Sequence, residues 1–172
     1  VKCATKVGKD SPGGGQVLVH FPDCGILHAT CRVAPDMDFN QQIIDTFRAN
    51  AGEVNEPMQF GKSLVLVHVP KKDGAIRIAP LAAIHDDGAW HIVGSAGGSP
   101  KHPAWVYGLR RTEQVDLEIP GEPVKKVQTK VEELTGNERD AMWERFKAFS
   151  SGFAEYEKTA EGRAFPIFRL TA

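Results

Sequence analysis

The sequence predicts an α+β domain: an antiparallel barrel or sheet of about six strands, with two or three helices around it. Three observations carry this. Apolar runs of strand length follow one another across short turns rich in Gly and Asp. Helical periodicity is confined to the two ends of that series and one brief stretch within it, so there is no strand–helix–strand alternation of the kind a parallel sheet needs. Seventeen Gly and eleven Pro in 172 residues favour many turns and short strands.

Residues 1–36 are read as an N-terminal extension, and residues 37–172 as the folded domain. The extension holds a turn-rich Ser11-Pro12-Gly13-Gly14-Gly15 stretch and one short apolar run, Val17 to Phe21, without sustained periodicity. His20, Cys24, His28 and Cys31 are zinc-competent, but their spacings of three, three and two residues match no common zinc pattern. The alternatives are incidental Cys and His, a small zinc-assisted interaction module, or a true start at Met37. Cys3 makes the cysteine count odd, a weak basis for a disulfide scaffold.

A helix is expected from Asp38, which with Gln41 fits a capping box. Phe39, Ile43, Ile44 and Phe47 share a face, and Gly52 is placed to cap the C-terminus. Ser63 to Val69 reads as a strand, and Lys71-Lys72-Asp73-Gly74 as a hairpin turn. Ile76 to Ile84 returns, with Pro80 demanding an edge or a bulge. Asp86-Asp87-Gly88 turns again into a strand from Ala89 to Ser95, ended by Gly97-Gly98-Ser99-Pro100. A short helix covers His102 to Arg111, with Pro103 in its first turn. Gln114 to Ile119 alternates, placing Val115, Leu117 and Ile119 on one face and Asp116 and Glu118 on the other. Val124 to Leu134 forms a longer strand. Thr135 and Glu138 suggest a capping box for a helix whose apolar face is Met142, Phe146 and Phe149. Arg163 to Leu170 closes the chain as a strand, edge or bulged at Pro166.

A formal net charge of −1, from 21 basic and 22 acidic residues, argues against general nucleic-acid binding, so any anion site must be local. No apolar run approaches the ~20 residues of a membrane span, and a cytoplasmic protein is the default expectation. Lys71, Lys72 and Arg77 offer such a local anion site, although turn charges more often form a solvated surface. Ser95 to Pro103 places paired glycines between a strand and a helix. That geometry suits a phosphate or the polar edge of a flavin-type ring, without being a Rossmann or P-loop pattern. Trp105, Phe153 and Tyr156 suit a pocket wall or a core. Neither a nucleophilic triad nor an HEXXH motif is present, so a hydrolase is not suggested.

Taken together, residues 38–172 resemble the deazaflavin (F-420)-dependent nitroreductase and quinone reductase family. The most specific stretch is Ser95-Ala96-Gly97-Gly98-Ser99-Pro100-Lys101-His102-Pro103-Ala104-Trp105. Phe39-Asn40, Ile44-Asp45, Phe47-Arg48-Ala49-Asn50, the Lys72, Gly74, Arg77, Pro80-Leu81 spacing, Trp143, Phe153-Ala154-Glu155-Tyr156 and Pro166-Ile167 are similar too. The resemblance implies a split antiparallel β-barrel related to FMN-binding proteins. It also implies hydride transfer from reduced coenzyme F-420 to a quinone, a nitroaromatic or an unsaturated lactone. By family position Lys71, Lys72 and Arg77 would hold the phosphate and oligoglutamate tail, with Ala79 and Pro80 also in the coenzyme site. Ser95, Ala96, Gly97 and Gly98 would lie along the ring, with Pro103 and Trp105 covering it. Phe153 and Tyr156 would border the acceptor cavity. Ser95 would bond near the reacting atoms, and Tyr156 or water would supply a proton. The chain departs from the family where the hairpin reads Pro70-Lys71-Lys72 instead of Gly-Arg-Lys, and where Phe153 replaces the tyrosine of the nitroreductase prototype. The expected partners are a small-molecule acceptor and a second copy in a homodimer; the resemblance also allows peripheral membrane association through the N-terminal helix, which here is short and mixed in character. Rival readings are an FMN- or haem-binding oxidoreductase on the same barrel and a non-catalytic F-420 carrier.

Overall fold

A computed structural model describes residues 39–172. The zinc-competent quartet, the Val17–Phe21 strand, Asp38 of the capping box and the 36/37 boundary lie outside the described residues.

Helix α1 (Phe39–Ala49) leads into strands β1 (Leu64–Pro70), β2 (Ile76–Asp86) and β3 (Ala89–Val93). A 3-10 turn (Ala96–Gly98) and helix α2 (Ala104–Leu109) separate β3 from β4 (Gln114–Ile119) and β5 (Lys125–Glu133). Helices α3 (Gly136–Phe149) and α4 (Ser151–Thr159) precede the last strand, β6 (Ile167–Thr171). The strands close into a barrel in the order β1-β2-β3-β6-β5-β4, every pair antiparallel.

β1 is apolar at nearly every position because both its faces are covered. Val65, Val67 and Val69 point into the barrel core with Ile92, Leu117, Phe168 and Leu170. Leu64 and Leu66 point outward and pack under Ile43, Ile44 and Phe47 of α1. Burying one such side chain contributes about 1.5–3 kcal/mol. A third cluster fills the space between the barrel wall and α3, where Met142, Trp143 and Phe146 meet Phe165 and Ile167. α2 supplies Val106 and Leu109 to the barrel core.

The hairpin turns form as expected. Asp87 and Gly88 both have positive φ (48° and 76°), the conformation of a two-residue turn that matches strand twist. Pro80 sits where β2 has a partner on one flank only. Residues 76–82 pair with β1, whereas β3 pairs with residues 83–86. The missing N–H therefore costs little, and this flank of β2 is where the barrel wall opens.

Three details differ from the sequence expectation. The left-handed residue ending α1 is Ala51 (φ 54°), with the Gly52 N–H closing the turn onto the Phe47 carbonyl at 2.8 Å. Gly52 is required one position later, where a Cβ would lie 2.4 Å from Pro120 Cα. Thr135 stands at the N-cap of α3 without a side-chain capping bond, so the capping box does not form. Phe149 is 46% exposed, and Trp143 takes its place on the buried face of α3. Glu118, on the acidic face of β4 opposite Val115 and Leu117, is buried. Among the described residues no helix is long and apolar enough to cross a membrane.

Candidate functional site

The open flank of β2 faces a cleft of about 700 Å³. Its walls are Ile44 and Arg48 of α1, Ile78, Ala79, Pro80 and Leu81 of β2, Ala96 of the 3-10 turn, and Pro103 and Trp105 at the start of α2. A second groove of about 620 Å³ lies along the β1–β2 hairpin and is lined by Lys71, Lys72, Arg77, Trp105, Tyr107 and Arg111. Arg77 and Trp105 belong to both walls, so the two spaces are neighbours with different chemistry. Both lie within the ~300–1,000 Å³ range of small-molecule sites.

The charge in the groove is not spent internally. Arg48, Arg110, Arg139, Arg145 and Arg169 each have a carboxylate partner. Arg163 is taken up by backbone carbonyls. Among the described arginines Arg77 and Arg111 alone have neither, and both line the groove beside Lys71 and Lys72. Four cations line the groove without a carboxylate in its lining, and Asp73 of the same turn accepts the Ala75 N–H, so the groove makes an anion site.

The wall nearest the 3-10 turn is built by an unusual run of backbone. Ala96, Gly97 and Gly98 have φ of 48°, 60° and 78° in succession. Gly98 presses on α4: a Cβ there would lie 2.0 Å from Thr159 Oγ1 and 3.0 Å from Tyr156 Cα. Arg163 ties the segment down. Its Nη2 donates to the Ser95 carbonyl (2.6 Å), its Nη1 to the Gly94 carbonyl (2.9 Å), and its Nε to the Ser99 carbonyl (2.8 Å).

At the opposite wall Arg48 is fixed from behind. Its Nε and Nη2 donate to the two carboxylate oxygens of Glu118 at 2.8 and 2.5 Å, and His68 Nε2 lies 2.7 Å from the same carboxylate. The Arg48 hydrogen bond, then that of His68, holds the Glu118 pKa below the usual carboxylate range against the opposing effect of burial. His68 is thereby accounted for structurally.

Residues 40–172 match the F420H(2)-dependent quinone reductase family. The chain belongs to that family. It is similar to a solved structure described as an F420-H2 dependent reductase (FDR-A), at 28% identity and a TM-score of 0.56, covering 63% of this chain and 94% of that one. It is also similar to one described as a domain-swapped dimer, at 29% identity and a TM-score of 0.56, covering 63% and 80%. As a member of the quinone reductase family the chain is an oxidoreductase that depends on coenzyme F-420, on the split-barrel fold expected from the sequence.

The residues singled out from the sequence of this quinone reductase family member fall in four places. Lys71, Lys72 and Arg77 line the cationic groove; Ala79, Pro80, Ala96, Pro103 and Trp105 line the cleft. Ser95 lines neither space, although its carbonyl is held by Arg163. Gly97 is exposed beside it. Phe153 and Tyr156 border a separate depression of about 310 Å³ with Met58, Phe60 and Phe149. Phe153 also packs edge-on against Phe146 at 5.4 Å, so it belongs partly to the core. Sequence reasoning missed Arg48, Tyr107, Arg111 and Arg163. Arg111 had a signal, a cation at the end of the helix that faces the hairpin. Arg163 had none, because its partners are carbonyls more than sixty residues away.

Proposed function

We propose that the chain, through its domain from residue 37 onward, reduces a conjugated electrophile. The acceptor would be a quinone, a nitroaromatic or an unsaturated lactone. Reduced F-420 would lie across the two neighbouring spaces. The bound coenzyme supplies the hydride; the chain supplies position, dryness and charge matching. The observation that carries this reading is the pair of arginines without carboxylate partners beside two lysines, next to a cleft that mixes apolar side chains with Asn40, Gln41 and Arg48. A flat deazaflavin ring fits walls made of Ile44, Ile78, Pro80, Leu81 and Trp105. An anionic tail fits Lys71, Lys72, Arg77 and Arg111.

In this reading Pro103 and Trp105 cover the ring, and Ser95, Ala96, Gly97 and Gly98 run along its edge. Arg48, fixed by Glu118, stands ready to hydrogen-bond a polar edge. Ser95 orients near the reacting atoms. The acceptor would lie against the ring, with Phe153 and Tyr156 as its border, and Tyr156 or water would return a proton to the reduced product. A homodimer belongs to the same reading, prompted by the relative described as a domain-swapped dimer.

Fluorescence titration with F-420, with FMN and haem as competitors, tests it. Saturable binding of F-420 is expected, and Arg77→Ala with Arg111→Ala should raise Kd at least ~10-fold, about 1–3 kcal/mol for lost charge-assisted bonds. Unchanged affinity in that double variant would remove the groove from the coenzyme site. Binding without turnover against a quinone panel would leave a carrier instead of a reductase.

A further inference from the structure

Arg163 touches neither cleft nor groove, yet it joins both ends of the turn that forms one cleft wall. Its acceptors are the carbonyls of Gly94 and Ser95 on one side of the turn and of Ser99 on the other, together with His102 Nδ1 at 2.9 Å. The guanidinium lies 4.6 Å from the centre of the Phe165 ring, a cation–π contact. Between those anchors the chain runs through three residues of positive φ, and Ala96 carries a Cβ in that conformation. Such a residue persists only where its surroundings over-determine it. Ala96, between the anchors, and Pro103, directly after His102, both line the cleft.

The contact with His102 has a chemical condition. A guanidinium only donates, so His102 Nδ1 must accept, which requires a neutral ring with its proton on Nε2. Protonating Nδ1 would remove the acceptor and set two cations face to face. The other groups around His102 are Tyr107, its ring edge-on at 6.1 Å, and Arg110 and Glu133. Glu133 is engaged by Arg110 at 2.6 and 2.8 Å and offers His102 little compensation. Burial first, then Arg163 and Arg110, push the His102 pKa below that of a free histidine.

We propose that Arg163 is a positioning residue for the coenzyme-facing turn, and that His102 makes its grip sensitive to protons. Acid then loosens residues 94–102 and weakens coenzyme binding. The ligand in this inference rests on the coenzyme reading above; the clamp itself does not.

Two readouts on the intact protein separate the two. The first is amide hydrogen exchange in coenzyme-free protein at about pH 7.5 and about pH 5, with each segment compared with the barrel strands. Protection of residues 94–102 should fall selectively in acid. His102→Asn, which places an amide oxygen near the position of Nδ1, should abolish that fall. The second is F-420 titration at the same two pH values. Wild-type Kd should rise ~5-fold or more relative to His102→Asn, the coenzyme's own ionisation cancelling in the ratio. In Arg163→Lys a single ammonium replaces the fork, so protection should be lost and Kd raised ~10-fold at both pH values. A merely structural arginine would lower the melting temperature and leave Kd and its pH profile unmoved. Identical acid profiles in wild type and His102→Asn would overturn the proposal, and His102→Asn decides alone if Arg163→Lys fails to fold. A selective acid loosening in a protein that binds no F-420 would keep the clamp and overturn the coenzyme placement.

Discussion

His91 is buried in β3, and its Nδ1 has no hydrogen-bond partner among the described residues. Burial pushes its pKa below that of a free histidine, only partly offset by the nearby Ile84 carbonyl, and Arg169 and Arg145 act in the same direction as burial. The folded state therefore holds His91 neutral while the unfolded chain takes up a proton near pH ~6.5. Stability is complete above that value and falls as pH drops from it through the lower folded value. Denaturant unfolding from about pH 7.5 to about pH 5 should show this loss, and His91→Leu should reduce it. An equal loss in both proteins would sink the assignment. Arg163 makes the complementary point: one side chain determines the shape of a backbone segment far from it in sequence, through carbonyls that any residue would have supplied.

Between elements, the decisive contact is Glu118. Strict alternation along β4 put it on the face opposite Val115 and Leu117, and it does point away from the barrel core. That outer face, however, lies beside α1, so Glu118 becomes a nearly buried carboxylate (side chain 9% exposed) shared by Arg48 of α1 and His68 of β1. The pair straps a helix to the barrel and fixes an arginine at the cleft. Arg48 is 43% exposed, so solvent screening limits the contribution of the pair. Glu118→Gln removes the charge and keeps the shape. It should cost about 1–2 kcal/mol in denaturant unfolding and loosen α1 in hydrogen exchange. Unchanged stability with unchanged α1 protection would show that the apolar contacts of Ile43, Ile44 and Phe47 hold the helix without it.

At the scale of the whole molecule, the cleft and groove are products of barrel closure. β2 is long enough to pair with β1 at one end and β3 at the other. The flank left over becomes the cleft floor, with α1 and α2 set beside it. The homodimer is argued here as well. Phe39 is a large apolar side chain about half exposed on a single copy, surface that a second copy would cover. Sedimentation at micromolar concentration should give twice the chain mass. A monomer at all concentrations would discard the dimer.

The strands, the hairpin turns and the order of elements were legible because they are local: period-two alternation, Asp-Gly turns and helical spacing act over a few residues. The hairpin cations and the glycine turn were legible as a chemical signature. Their meaning came from the family resemblance, since turn charges by themselves favour a solvated surface. The sequence alone therefore determined the fold class and the six strands. Tertiary structure alone decided that Arg77 and Arg111 have no carboxylate partner, that Glu118 is buried, that Arg163 holds the turn, and that Phe153 is shared with the core. The reason is physical. Each of these depends on which groups from distant parts of the chain meet when the barrel closes. Whether a charge is paired, screened or desolvated is a property of that meeting, not of the residue or its neighbours in sequence.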